Sequence, residues 1–282
     1  MVRNLAMLVG AGFVAVLAWA LFWTVQSQIT DPAPASIETT EWHKHPKELE
    51  LDSNGWFGNL KNTRQLQRGF QVFKEVCAAC HSLHQVSFRD LKQIGYNDAQ
   101  VKAIANQWVI EQPSINPDTG EPATRKNIPS DRFPSPFANE IAARAANNNA
   151  VPPDLSLMTK ARHDGPAYIY SLLTGYQAQS AEMIKEFPDV KTPEGLHANP
   201  YFATMNIAMP PPLTSEGQVQ YLDGTKPTVD QMAKDVAAFL VWTAEPNLTA
   251  RHSAGFAVVI FLLIFCFLAW GAYQNVWRDI KH

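Results

Sequence analysis

The chain has 282 residues and a formal charge of −3, with no block of basic residues, which excludes nucleic acid as a partner on charge grounds. That length supports one large or two modest folded domains with a real core. Three cysteines are too few for a disulfide framework, and 20 prolines against 14 glycines predict long, irregular, proline-stiffened loops, many of them between Pro113 and Pro212.

Leu5 to Val25, preceded by Arg3, runs uncharged for about twenty positions, enough to span a bilayer. The apolar core is long for a signal peptide, and Val25-Gln26-Ser27 is a poor cleavage site. Segment 1–28 therefore reads as a retained membrane anchor, with a cleaved signal as the alternative. Residues 29–62 read as an extended arm containing Pro32, Pro34 and Pro46. His43 and His45 have no third ligand near them and read as solvated side chains rather than a metal site.

Thr63 to Val76 is predicted to be a helix capped by Thr63, with Leu66, Phe70 and Phe73 on one face. It leads into Cys77-Ala78-Ala79-Cys80-His81-Ser82. Cys77, Cys80 and His81 form the C-x-x-C-H attachment pattern of a c-type haem. Each thiol adds across one haem vinyl group to give a thioether. The intervening pair of residues makes one helical turn and matches the separation of the vinyls. His81 follows directly and reaches the iron. A zinc site would need a second ligand pair, and the remaining cysteine, Cys266, lies inside an apolar run. A thioredoxin-like pair would need a βαβ pattern that is not apparent.

Further along, Ser87 to Ile94 and Ala99 to Trp108 are weaker helical candidates, the second capped by Asp98. Glu111 to Asn139 is expected as polar, proline-broken loop. Ile141 to Ala146 is a short helical piece, and Val151-Pro152-Pro153-Asp154-Leu155 is extended. Gly165 to Gly175 reads as a helix with Pro166 in its first turn. Ala178 to Phe202 is irregular. Thr228 to Thr243 is an amphipathic helix with a Thr228/Gln231 capping box and a stripe of Val229, Met232, Val236, Phe239 and Leu240. Ala254 to Tyr273 is apolar all round and long enough to span a membrane. Trp270, Tyr273 and Trp277 stand where an interfacial aromatic belt lies. Arg3 before the first run and Arg278 with Lys281 after the second put both termini in the cytoplasm under the positive-inside rule. The domain ranges are thus 1–28, 29–62, a haem domain 63–250, a transmembrane helix 251–275 and a tail 276–282. The fold class is mostly α: a c-type cytochrome domain with long proline-rich loops, a C-terminal transmembrane helix and an N-terminal hydrophobic helix.

An electron carrier needs the sixth position of the iron closed. Methionine raises the potential there and a second histidine lowers it. Met232 belongs to a helix stripe, and nothing fixes Met158 or Met183. Met209 is followed by Pro210-Pro211-Pro212, which hold its backbone extended and rigid and so reduce the entropy lost on ligation. Met205 is its nearest competitor, and His84, His163 and His197 are the bis-histidine alternatives.

Gln67-Arg68-Gly69-Phe70-Gln71-Val72-Phe73 ahead of the haem motif resembles the cytochrome c1 family, the haem subunits of quinol–cytochrome c oxidoreductases. So do Asn147-Asn148, Pro152-Pro153-Asp154-Leu155-Ser156, Ala161-Arg162-His163, Tyr168 and Ser171-Leu172-Leu173-Thr174-Gly175-Tyr176. Asn199-Pro200-Tyr201-Phe202, Ile207-Ala208-Met209-Pro210-Pro211, Ala233-Lys234-Asp235-Val236 and Ala244-Glu245-Pro246 complete the likeness, which runs from about Leu66 to the C-terminus. The resemblance implies one haem c bound through Cys77 and Cys80, with His81 and Met209 as axial ligands. It further implies Arg162 and Tyr168 at the haem, with Arg162 near a propionate, a carboxylate that suits a forked donor. The function it implies is electron relay without catalysis by this chain alone, from a Rieske iron–sulfur protein to a cytochrome c acceptor, beside a cytochrome b subunit. The implied location is a bacterial inner membrane, with the haem domain periplasmic and the C-terminus cytoplasmic. Some bacterial members carry an extra disulfide that stabilises the methionine loop, and this chain has no spare external cysteines for one. Glu182, Glu186, Asp189 and Glu194 are candidates for steering a basic carrier. The rival reading is a membrane-anchored haem enzyme or gas sensor with an open sixth site.

Overall fold

The computed structural model describes residues 2–31, 37 and 40–279. Pro32, Pro34, Lys281 and His282 lie outside them. The chain divides into two compact units, Met1–His43 and Lys44–His282.

The first unit contains α1 (Val2–Thr30), which extends the expected apolar run at both ends and has no buried face. It is long and apolar enough to cross a membrane.

The second unit is built around two helices, α2 (Thr63–Glu75) and α8 (Val229–Ala244). The predicted stripe of α2 is buried: Leu66, Phe70 and Phe73 are all inside. Phe70 and Phe73 both meet the rings of Phe239 on α8 and of Phe133. Each such side chain taken out of water contributes about 1.5–3 kcal/mol. The two helices approach unusually closely at Gly69. A Cβ there would lie 2.0 Å from the Asp235 carbonyl oxygen and 2.6 Å from the Phe239 Cβ, so the crossing admits only glycine. Beside it, the Arg68 guanidinium forks onto Asp235 with bonds of 2.8 and 3.0 Å and reaches Asp223 at 2.7 Å. Asp235 is fully buried, and a buried carboxylate requires such a partner.

Between them lie α3 (Asp98–Gln107), α4 (Glu140–Ala146), α5 (Met158–Ala161), α6 (Gly165–Leu173) and α7 (Ala181–Glu186). α5 and α6 pack on α8. α9 (Leu248–Trp277) closes the chain and is also long and apolar enough to span a membrane. It starts earlier than the apolar run, because its first turns carry Arg251 and His252 ahead of Ala254. Residues 44–62 lie on the domain: the Lys47 N–H donates to Ser171 Oγ at 2.7 Å and its ammonium to Thr174 Oγ1 at 2.8 Å.

Several local expectations change. The α2 cap is Asn62, whose side chain accepts from the Gln65 N–H, and the α3 cap is Asn97, which forms a reciprocal box with Gln100. In both cases the first polar residue outside the helix is free to adopt non-helical angles. Ser87 and Asp90 form a capping box on a 3₁₀ turn, Phe88–Ile94. At α8, Thr228 caps the Gln231 N–H, but the Gln231 side chain turns to Asp235. The buried carboxylate outcompetes the reciprocal half of the box. The segment expected as loop from Glu111 to Asn139 contains an antiparallel hairpin, β1 (Gln112–Ile115) with β2 (Pro122–Arg125). Pro113 and Pro122 are tolerated because the ribbon has only two strands, so both are edges. Buried Asn127 and Phe133 pin the rest of the segment. The stretch expected as irregular from Ala178 to Phe202 holds α7, capped by Ser180, and the strand β3 (His197–Ala198), which pairs with β4 (Asn206–Ile207).

Candidate haem centre

α2 ends at Glu75 with Val76 as its cap, and the chain tightens into a 3₁₀ turn over Cys77–Ala79. The Cys80 and His81 N–H groups both donate to the Cys77 carbonyl, at 3.1 and 2.9 Å. Both thiols therefore come from one turn, as attachment to two vinyls requires. Cys77 sits against the core, Cys80 is exposed, and neither is in a disulfide. Burial, with the neighbouring Cys80, pushes the Cys77 thiol up to about 12, which keeps it un-ionised.

The half-buried His81 imidazole places Nδ1 2.8 Å from the Pro153 carbonyl oxygen. A carbonyl only accepts, so Nδ1 carries the proton and donates it. Nε2 is then the unprotonated nitrogen with a free lone pair, the tautomer a metal ligand needs. Burial lowers the His81 pKa and outweighs the opposing effects of Pro153 and Asp154, so the ring is neutral and ligand-ready. This geometry and the paired free thiols fit a covalently attached haem c.

The carbonyl that orients His81 is itself held. Asp154 accepts from Ser82 Oγ at 2.8 Å, the His84 N–H at 2.7 Å and the Ser156 N–H at 2.9 Å. The Leu155 N–H donates to the Ser82 carbonyl at 2.9 Å, and the Gln85 N–H to Ser156 Oγ at 3.0 Å. Burial acts to raise the Asp154 carboxyl, but these donors prevail and its pKa is lowered. Segments 82–85 and 153–156 are therefore laced together, and the lacing fixes the imidazole.

A second group of expected site residues assembles after α5. Arg162 is exposed, with Nη1 on the Ala161 carbonyl at 3.1 Å. Its guanidinium stands close enough to Tyr168 to act on that phenol, although burial dominates and raises the Tyr168 pKa. Tyr168 in turn acts on Tyr176, which burial also raises. The Tyr176 hydroxyl donates to the Met209 carbonyl at 3.0 Å. Arg162, Tyr168, Tyr176 and Met209 thus form one connected chain of neighbours. Residues 154–162 join this group to the His81 group.

Met205 has a different environment. It is 4% exposed and left-handed at φ 63°. Its N–H is bonded to the Phe202 carbonyl, and its carbonyl accepts from Asn199. Its backbone is committed to the turn between β3 and β4. His163 is 97% exposed beside Asp164, and the His84 N–H is used on Asp154. An open cleft of about 480 Å3, lined by Tyr176, Lys191, His197 and Pro211 among others, flanks the Met209 loop without reaching Cys77, Cys80 or His81.

The Pro153 carbonyl, Asp154 and Tyr176 carry roles that residue-by-residue reading did not assign. Pro152-Pro153-Asp154 signalled extended chain and a family likeness but no contact with His81, and nothing local connects Tyr176 with a residue thirty-three positions away.

The cytochrome C1 family pattern matches residues 51–280. The chain is 45% identical over 237 residues to cytochrome c1 of Rhodospirillum rubrum, covering 81% of this chain and 86% of that protein. It is 46% identical over 229 residues to the cytochrome b/c1 protein of Bradyrhizobium diazoefficiens, covering 76% of this chain and 33% of that longer protein. It is 40% identical over 247 residues to the mitochondrial cytochrome b-c1 complex catalytic subunit of Candida albicans, covering 88% of this chain and 82% of that one. With its attachment turn, its oriented His81 and two helices suited to membrane anchoring, the chain belongs to the cytochrome c1 family.

Proposed function

We propose that this protein is the haem subunit of a quinol–cytochrome c oxidoreductase of the bc1 type. In this reading it relays one electron from a Rieske iron–sulfur protein to a cytochrome c acceptor and catalyses no reaction alone. Haem c supplies the one-electron couple when attached. The rest is the work of this chain's residues. Cys77 and Cys80 form the thioethers. His81 would offer Nε2 to the iron because its Nδ1–H is held by the Pro153 carbonyl. Met209 offers its sulfur from a proline-stiffened loop and closes the site against small ligands. Arg162 pairs with a propionate, and Tyr168 lies beside it. The observation that carries this reading is the hydrogen bond from His81 Nδ1 to the Pro153 oxygen at 2.8 Å, because it presents a neutral imidazole as a permanent ligand.

The names of the Bradyrhizobium and Candida relatives support a cytochrome b partner and a bc1 complex. In the proposed arrangement the haem domain faces the periplasm of a bacterial inner membrane and the C-terminus is cytoplasmic. Glu182, Glu186, Asp189 and Glu194 are all exposed on the segment after Tyr176 and suit the encounter with a basic carrier.

The test is the visible spectrum of the purified holoprotein with and without carbon monoxide. A low-spin ferrous haem indifferent to carbon monoxide supports the relay. Ready binding means an open sixth position and favours the haem enzyme or gas sensor instead. A reporter fused after His282 reads the orientation, and activity of a periplasm-dependent reporter there would reverse it.

A further inference from the structure

The turn Gly55–Gly58 is built against the rules of exposed turns. The Gly58 N–H donates to the Gly55 carbonyl at 3.2 Å, and the Asn59 N–H to the Asp52 carbonyl at 2.7 Å. Gly55 is left-handed at φ 74°. A Cβ on Gly58 would lie 2.1 Å from the Ser53 carbonyl oxygen, so the two limbs touch. This is a closed turn, and its two central positions usually carry polar, proline or glycine residues. Here they are Trp56 and Phe57, exposed to 92% and 80%. Two adjacent aromatic side chains held out of a tight turn are not packing the domain.

The turn is docked on α9 through a single face of that helix. The Leu60 N–H donates to Thr249 Oγ1 at 2.9 Å. The Gly58 carbonyl oxygen lies 2.8 Å from His252 Nδ1, and the Phe57 ring meets the Phe256 ring edge-on at 6.0 Å. Thr249, His252 and Phe256 are spaced three and four apart, one stripe of the helix. As the chain runs back from Leu60 to Phe57, it passes down α9 from its polar first turns into the apolar run. The drop from Thr249 to Phe256 is about 10 Å at 1.5 Å per residue. The contacts thus fix the depth of the turn, and Trp56 is its tip.

We infer that the Trp56–Phe57 turn is a membrane-interface foot: it sits in the headgroup and upper acyl region of the lipid bilayer beside α9. Tryptophan suits this position because its large ring is apolar and its indole N–H wants a polar partner. The occupant is lipid because the turn is continuous with the lipid-facing surface of α9, at the level where that surface turns apolar. The foot sets the height and tilt of the haem domain above the membrane, which a single helix followed by a free loop would leave variable. The inference rests on α9 spanning the membrane.

The test uses the full-length holoprotein in vesicles of phosphatidylethanolamine and phosphatidylglycerol, and again in the assembled complex. A nitroxide is attached at Trp56→Cys in a Cys266→Ser background, where the haem thioethers leave no other free thiol. Collision with oxygen, which concentrates in lipid, is compared with collision with a water-soluble nickel chelate. Controls are Leu263→Cys on α9 and Asp118→Cys on the β1–β2 turn. The ratio of oxygen to nickel collisions at position 56 should exceed that at position 118 by about tenfold and approach that at 263. A water-like ratio at 56 with a lipid-like ratio at 263 overturns the foot and leaves the anchor standing. A water-like ratio at 263 overturns the anchor and the foot together. Shielding from both reagents at 56 in the complex means a protein occupant and also overturns it. With the indole intact, the 5-fluorotryptophan resonance assigned by Trp56→Phe should broaden with oxygen and not with nickel, and the opposite pattern overturns the inference.

Discussion

The Tyr176 hydroxyl donates to the Met209 carbonyl oxygen at 3.0 Å, tying the loop that carries the proposed axial sulfur to the chain just beyond α6. Burial keeps this phenol protonated, so it remains a donor across the accessible pH range. Tyr176→Phe removes a bond with a net value of about 0.5–1.5 kcal/mol. The loop should then open more often. The rate at which carbon monoxide binds the ferrous holoprotein should rise by a few-fold to about tenfold; an unchanged rate would show that the prolines hold the loop without it.

The two neighbouring methionines should separate cleanly. Met209→Leu is expected to open the iron, admit carbon monoxide and lower the potential, because the sulfur ligand is lost. Met205→Leu should leave the spectrum and potential alone and cost less than about 1.5 kcal/mol of stability, the usual limit for a volume-conserving apolar exchange. Redox titration of both variants decides the matter. If Met205→Leu lowers the potential and Met209→Leu does not, the ligand assignment is wrong.

Gly69→Ala should be among the most damaging small substitutions in the domain. The added methyl would sit 2.0 Å from the Asp235 carbonyl oxygen, and backbone cannot move aside as a flexible side chain can. The helices must separate, which loosens the Phe70–Phe239 and Phe73–Phe239 contacts as well. Overpacking of this kind costs about 1–3 kcal/mol or more. Chemical denaturation of the holoprotein measures it, and a loss below about 0.5 kcal/mol, the range of ordinary surface changes, would contradict the close crossing.

Asp223 makes the acid side of the stability curve testable. The Thr225 N–H first, and then Arg68, lower its carboxyl to about 2 from an ordinary 3.8. A carboxylate depressed in the folded state binds fewer protons there than in the unfolded chain. Its contribution is therefore present above the unfolded value and lost as pH falls through the folded one. The stability gap between the parent and Asp223→Asn should be constant above about pH 5 and should shrink between about pH 4 and pH 2. A gap that persists unchanged below pH 2, followed by denaturant midpoints, would assign the effect to something other than this charge.

Much of the centre was legible without a structure. The attachment turn is contiguous, so the expectation of covalent chemistry and one axial ligand rests on Cys77, Cys80 and His81 alone. The stripes of α2 and α8 follow from helical period, and both long apolar helices from length and apolarity. The hairpin of β1 and β2 was not legible, because its prolines argue against strand locally and only pairing overrides them. The caps on α2 and α3 each moved by one residue for a similar reason: Asn62 competes with Thr63, and Asn97 with Asp98, and the backbone angles decide between neighbours of similar propensity.

Residue order alone pointed to the candidate haem-binding atoms, to the stripes of α2 and α8 and to the segments long and apolar enough to enter a bilayer, since all of these depend on residues within a few positions of one another. Tertiary structure alone decided that Pro153 accepts the His81 Nδ1–H bond, that Gly69 touches Asp235, that Tyr176 grips Met209 and that Trp56 and Phe57 stand beside α9. Each of these joins residues far apart in the chain. Local preference carries no information about them, because they form only when burial of the shared core brings distant backbones within hydrogen-bond and van der Waals range.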